Sequence, residues 1–263
     1  MRNPSLSPFR VFRAFVASGS WPNRNWELPA RNPASELGRW GDEEFVRVWD
    51  SQPTNPLKAE QLDVLAEVIK ENWRRGARIL DLGCGTGKTE AVILERLPVA
   101  RFVCVDRSEV MLGFARERLQ GYGSQCRFVK SDLDRLQATG VPGSPFRFIV
   151  AVDSVHELTD AAKARLFRFC RRHLTNDGLL LILDRIALDR AGFGRQLRSV
   201  LSRLQHLHGV RSGQFSDQFI DPRSPDHEHP LALEPYFRLL RRAGLNPALL
   251  HLHLHKALIA AKP

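Results

Sequence analysis

The chain has 263 residues, 43% of them hydrophobic and 26% charged, and carries a formal net charge of +10 at pH 7. That is enough chain for one well-buried α/β domain, and no apolar run approaches the length that crosses a bilayer, so no membrane partner is expected. The charge raises nucleic acid as a partner, but the arginines are spread out beside acids, as in Arg116-Glu117-Arg118 and Asp134-Arg135, which does not favour one.

Residues 1–57 read as a partly irregular N-terminal extension rich in Pro, Ser, Asn, Arg and Trp, draped over the domain through Trp21, Trp26 or Trp40. Its first twenty residues hold Arg2, Arg10 and Arg13 and no acid, so a mitochondrial leader is the alternative to the expected cytoplasmic location. Glu43–Trp49 is a short amphipathic piece, and Lys58–Trp73 has helical spacing through Leu62, Leu65, Val68 and Ile69. From residue 58 to the end, strands and helices alternate. Strands are predicted at Ile79–Leu82, Arg101–Asp106, Cys126–Lys130, Phe146–Val152 and Leu179–Leu183.

Ser108 is expected to cap the helix after the second strand, and Thr159 or Asp160 a long one reaching Leu174. Asn176-Asp177-Gly178 reads as a turn. Residues 190–230 break the rhythm, with a helix from about Arg195 to Leu207 and then a polar stretch, as an inserted lid would. Leu233–Ala243 is helical again, and Ala248–His255 and Lys256–Ala261 close the chain as strands. This alternation argues for a doubly wound, mostly parallel sheet. The four cysteines have no paired spacing and read as buried thiols.

The first strand runs directly into Asp81-Leu82-Gly83-Cys84-Gly85-Thr86-Gly87-Lys88. Alternating glycines at a strand-to-helix turn bring backbone close to a ligand, with helix N–H groups facing it. A phosphate loop needs glycine where Leu82 stands, and a dinucleotide fingerprint needs one at Lys88. A methyl-donor site fits better. Asp106, Asp132 and Asp153 follow the next three strands, so with Asp81 four consecutive strands deliver an acid at the carboxyl edge, where open α/β sheets bind ligands. Asp106 is placed to accept ribose hydroxyls and Asp132 an adenine amino group.

On these residues, 77–185 resemble a class I S-adenosylmethionine-dependent methyltransferase. Asp81 to Gly87 matches the family's first motif. Val105-Asp106-Arg107-Ser108 with Met111 matches the ribose turn, and Ser131-Asp132-Leu133 the adenine turn. Asp153-Ser154-Val155-His156-Glu157-Leu158 and Tyr236 to Leu245 are similar to later, looser motifs. The resemblance implies a seven-stranded Rossmann-like sheet of order 3-2-1-4-5-7-6. It also implies S-adenosylmethionine as cofactor, held by Asp81, Gly83, Cys84, Gly85, Gly87, Asp106, Arg107, Met111, Ser131, Asp132, Leu133 and Asp153.

Methyl transfer needs an aligned acceptor, and a base only where the acceptor is protonated. His156 is the candidate base, and Asp184 a second. Asp-Ser-Val-His replaces the Asn/Asp-Pro-Pro-Tyr/Phe found where the family methylates nucleobase or glutamine amino groups, which favours a small-molecule acceptor. Arg185, Arg190, Arg195 and Arg198 near the lid offer charge to an anionic one. His251, His253 and His255 alternate along a strand, and His227 and His229 lie in another polar turn, but methyl transfer requires no metal and none is expected. A donor-binding assembly protein without catalysis and an RNA methyltransferase remain the alternatives.

Overall fold

Apolar runs with no polar face, such as Ile79-Leu80 and Phe102 to Val105, suit strands covered on both sides, and the structure places them there. A computed structural model describes residues 38–52, 54, 56–136, 140–187, 195–196, 199–200, 202–203, 229–253 and 255–263. Trp21, Trp26, His227 and nearly all of the expected lid lie outside the described residues.

In chain order the elements are α1 (Glu43–Ser51), α2 (Pro56–Glu71), β1 (Ile79–Leu82), α3 (Lys88–Arg96), β2 (Phe102–Asp106), α4 (Glu109–Arg118), β3 (Cys126–Lys130), β4 (Phe146–Val152), α5 (Asp160–His173), β5 (Leu174–Arg185), α6 (Leu233–Arg242), β6 (Asn246–His253) and β7 (Lys256–Lys262). The seven strands form one sheet of order β3-β2-β1-β4-β5-β7-β6. β1 to β5 pair in parallel, and β7 runs antiparallel to both β5 and β6. The expected strand order is the observed one.

Alternation along the strands divides the core. Ile79, Cys104, Phe148 and Val150 face the side covered by Leu62, Leu65 and Ile69 of α2 and Ile93 of α3. Leu80, Leu82, Val105 and Ile149 face Phe167 and Cys170 of α5 and Tyr236 and Leu240 of α6. Each such side chain, taken fully out of water, contributes about 1.5–3 kcal/mol, so the two layers hold the strand ends in register.

The boundary between α5 and β5 differs from the sequence reading. α5 stops at His173, because Leu174 already pairs with Phe146. β5 runs from Leu174 to Arg185 instead of starting at Leu179, and Asn176-Asp177-Gly178 forms an irregularity inside it: Phe146 pairs with Leu174 but Phe148 with Leu179. The turn chemistry is real, but the chain resumes the same strand instead of changing direction. The four cysteines are free and buried, as expected.

Candidate active site

Backbone hydrogen bonds fix the glycine loop to its neighbour. The N–H groups of Gly83 and Cys84 both donate to the Val105 carbonyl, at 2.8 and 3.0 Å. Gly83 has φ +80°, and a Cβ there would stand 2.5 Å from that of Ser154, so glycine is what lets the turn after β4 approach β1. Ser154 Oγ donates to the Leu82 carbonyl at 2.7 Å across that gap. Gly87, at φ +78°, occupies the N-cap of α3, which opens the first turn of the helix toward the loop.

Asp106 closes the loop from the other side. Its two carboxylate oxygens accept from the Gly85 and Ser108 N–H groups, each at 2.9 Å, so the ribose-side acid predicted from sequence also shapes the glycine turn. Burial raises its carboxyl above the ordinary range, and those hydrogen bonds offset only part of the effect. Ser108 caps α4 as expected, its hydroxyl accepting from the Met111 N–H at 3.2 Å. Met111 itself packs against Phe45 and Val46 of α1. Ser131 N–H donates to the Asp106 carbonyl at 2.9 Å, Asp132 accepts from the Asp134 N–H at 2.9 Å, and Leu133 reaches the rim beside Gly83. Arg107 lies 3.6 Å from Glu157. Asp81, Gly83, Cys84, Gly85, Gly87, Asp106, Ser131 and Leu133 thus gather at one sheet edge.

Under the loop are two acids that no donor stronger than a thiol faces among the described residues. Asp81 is 1% exposed and Glu90, on α3, is 0%, and none of their four oxygens has a hydrogen-bond donor. Burial, with Glu90 beside it, pushes the Asp81 carboxyl well above its ordinary value, and burial pushes Glu90 up to about 7. A cationic ligand above them would be welcomed. The open glycine cradle and this buried negative potential fit the amino-acid end of S-adenosylmethionine, which carries an ammonium beside a sulfonium.

Asp153, just after β4, is already engaged by two lysines. At φ +53° it is a non-glycine residue in the left-handed region, and its carboxylate pairs with Lys58 Nζ at 2.9 Å and with Lys256 Nζ. Burial and the Arg185 charge push Lys58 down to about 8; burial and Lys58 push Lys256 well below its ordinary value. Next to them His156 is 3% exposed. Its Nδ1 hydrogen-bonds Asp184 Oδ1 at 2.5 Å, and its backbone N–H donates to Asp184 Oδ2 at 2.7 Å. Asp153, His156 and Asp184 offer ligand atoms within 4.8 Å of one another, but a cation there would meet two ammonium groups already seated on Asp153. The histidine row does not form as expected: His251 and His253 lie on β6, whereas His255 is buried in the turn beyond it.

Lys163 and Asp50 carried no sequence signal, whereas Trp40 was one of the expected anchors of the N-terminal extension. Lys163, buried in α5, donates to the Leu158 carbonyl and, at 2.5 Å, to that of His229, clamping the turn that holds His156. Trp40 bridges the cleft: its carbonyl accepts from Ser108 Oγ at 2.5 Å and its indole N–H donates to Glu157 at 3.1 Å. Asp50, near the end of α1, accepts from Thr86 Oγ1 at 2.6 Å and pairs with Arg118 at 2.7 Å and Lys88 at 3.5 Å. Residues 38–52 therefore form a strap fastened to both flanks of the glycine loop.

The sheet order and the glycine motif are those of a methyltransferase domain, and the comparisons with known proteins agree over that part of the chain. Residues 79–178 match the methyltransferase domain family. Among its relatives, it is 33% identical over 143 residues to a trans-aconitate 2-methyltransferase of Azoarcus, a match that spans 54% of this chain and 49% of that one. It is 28% identical over 226 residues to the trans-aconitate 2-methyltransferase of Yersinia pseudotuberculosis, spanning 79% and 81%. An O-methyltransferase family protein from Burkholderia thailandensis shares the fold at a TM-score of 0.64 and 17% identity, over 97% of this chain and 71% of that one. The pyocyanin biosynthetic protein PhzM does so at 0.59 and 21%, over 97% and 68%.

Proposed function

We propose that the chain methylates an oxygen of a small carboxylic acid, with S-adenosylmethionine as donor. The observation that carries the acceptor is the cluster of basic groups at the carboxyl edge, where Lys58 and Lys256 share Asp153, and Arg185 and Asp184 act on Lys58. Burial and neighbouring positive charge lower both lysines, and an incoming carboxylate would favour their charged forms. The names of the relatives, which specify trans-aconitate, agree with an acid of this kind.

In this reading Gly83, Cys84, Gly85 and Gly87 hold the donor's amino-acid end over Asp81. Asp106 takes the ribose hydroxyls, and Met111, Ser131, Asp132 and Leu133 line the adenine side, with Arg107 at the rim. Asp153 belongs to the acceptor side, where it spaces Lys58 and Lys256. Bound there, the donor supplies a methyl group on a sulfonium, an activated leaving group that needs no acid. The protein's task is alignment and exclusion of water, to which the strap and the Lys163 clamp contribute. A carboxylate is ionised at neutral pH and needs no base.

A second reading is favoured by the His156–Asp184 pair. With Asp184 accepting at Nδ1, the imidazole is oriented as a base for a hydroxyl acceptor. Incubation with methyl-labelled S-adenosylmethionine and a panel of di- and tricarboxylic acids, phenols and RNA separates the readings. Label in a base-labile methyl ester that falls at least tenfold in Lys256→Met supports the acid reading. Label only in an ether, lost in His156→Ala, replaces it with the hydroxyl reading. Label in RNA, or in nothing while donor still binds, refutes both.

A further inference from the structure

Asp81 and Glu90 are more than a negative surface. Two adjacent carboxyl groups, both inaccessible to water and with no donor stronger than a thiol among the described residues, cannot both stay ionised; a proton between them is what makes the contact tolerable. The groups around them do not supply an alternative. Lys58 of α2 feels the Asp81 charge but sits on Asp153, and Asp106 of β2 adds a third carboxylate; burial holds the Cys84 thiol protonated, a hydrogen bond with Cys126 and then burial hold that of Cys104, and this weak thiol donor is what Glu90 has beside it. Cys84 lies in the glycine loop itself and senses Glu90, Asp106 and Asp81 together, so the pair is electrostatically coupled to whatever fills that loop.

We propose that Asp81 and Glu90 form a proton-sharing pair that discharges its proton to solvent when the donor's positive charge fills the glycine loop, which makes donor binding proton-linked. The inference rests on the donor site assigned above. The balance is simple: one carboxyl O–H bond breaks, the proton passes to buffer, and the second carboxylate charge it leaves is compensated by the ammonium and sulfonium of the ligand. The consequence is tighter donor binding at alkaline pH. Below neutrality the same ligand must displace a more firmly held proton.

Isothermal titration of the full chain with S-adenosylmethionine at pH 7, in phosphate and in Tris, reads the proton directly. The two buffers differ widely in ionisation enthalpy, so the observed heats differ in proportion to protons released. Release of about half a proton or more per site is expected, since Glu90 titrates near 7. Glu90→Gln is expected to bind the donor with the buffer dependence abolished, and Asp81→Asn serves in its place if that variant fails to fold. Binding without buffer dependence in the wild-type chain overturns the proposal, as does an undiminished dependence in the variant. Absence of any binding heat overturns the donor site itself and the proposal with it, and is distinct from either.

Discussion

Replacing Asp50 with alanine tests whether the N-terminal strap is part of the site. Burial alone would raise the Asp50 carboxyl, but hydrogen bonds from Arg118 and Thr86 and the charge of Lys88 outweigh it and leave it below the ordinary carboxylate range. Its side chain is 12% exposed, and Arg118 and Lys88 are 27% and 24% exposed, so these are partly screened pairs. A charged hydrogen bond in such a setting contributes about 1.5–3 kcal/mol and the Thr86 hydroxyl about 1, while the alanine leaves Arg118 and Lys88 facing one another. Discounted for exposure, the loss comes to about 2–3 kcal/mol, roughly half of it recovered by Asp50→Asn, which keeps the contact to Thr86. Urea unfolding measures the stability, and donor titration should show affinity about tenfold weaker, because the loop loses its tie to α1. Stability within about 0.5 kcal/mol of wild type together with unchanged donor affinity would refute the strap.

Three further outcomes follow from the same geometry. Gly83→Ala must take a left-handed conformation and displace Ser154, whereas Gly85→Ala, at φ +56°, meets nothing within 4 Å. The first should cost about 3 kcal/mol in denaturant unfolding and the second about 1, and equal costs would contradict the close approach. Glu90 is protonated more readily in the folded chain than unfolded, so between its ordinary 4.5 and about 7 the native state binds the extra proton and stability falls as pH rises. The wild type minus Glu90→Gln difference across that window should be on the order of 3 kcal/mol, and a flat difference, or one that rises with pH, would sink the pairing. For the acid acceptor, Lys58 loses its charge as pH passes about 8, so KM for the acid should climb from there while kcat changes little; a KM constant to pH 9.5 would remove the lysines from acceptor binding.

Much of the fold could be read from the chain because its strands are buried on both faces and so read as continuous apolar runs ending in an acid. Asp106 was found that way, at the end of β2, and its bonds to Gly85 and Ser108 explain why an acid there also organises the loop. Asn176-Asp177-Gly178 misled for a physical reason: local turn chemistry cannot distinguish a reversal from an irregularity that sheet pairing absorbs. The order of the strands came only from resemblance, since pairing between β1 and β4 is set by packing across many residues. The rest of the site was silent because its contacts are long-range. Trp40 could be named as an anchor of the extension but not its partner Glu157, 117 positions away, and Asp50 meets Thr86 across 36 with no periodicity to link them. Glu90 falls in a helical pattern where an acid ordinarily faces solvent, and only the packed sheet shows it beneath the loop.

The central claim is that the carboxyl edge around Gly83–Gly87 and Asp106 binds S-adenosylmethionine. Titration of the chain with that ligand, beside Asp106→Ala, tests it most directly. The account predicts one site on the wild type and affinity weakened at least tenfold in the variant, through loss of both the ribose acceptor and the Gly85 tie. A wild-type chain that gives no binding, or a variant that binds equally well, would contradict it.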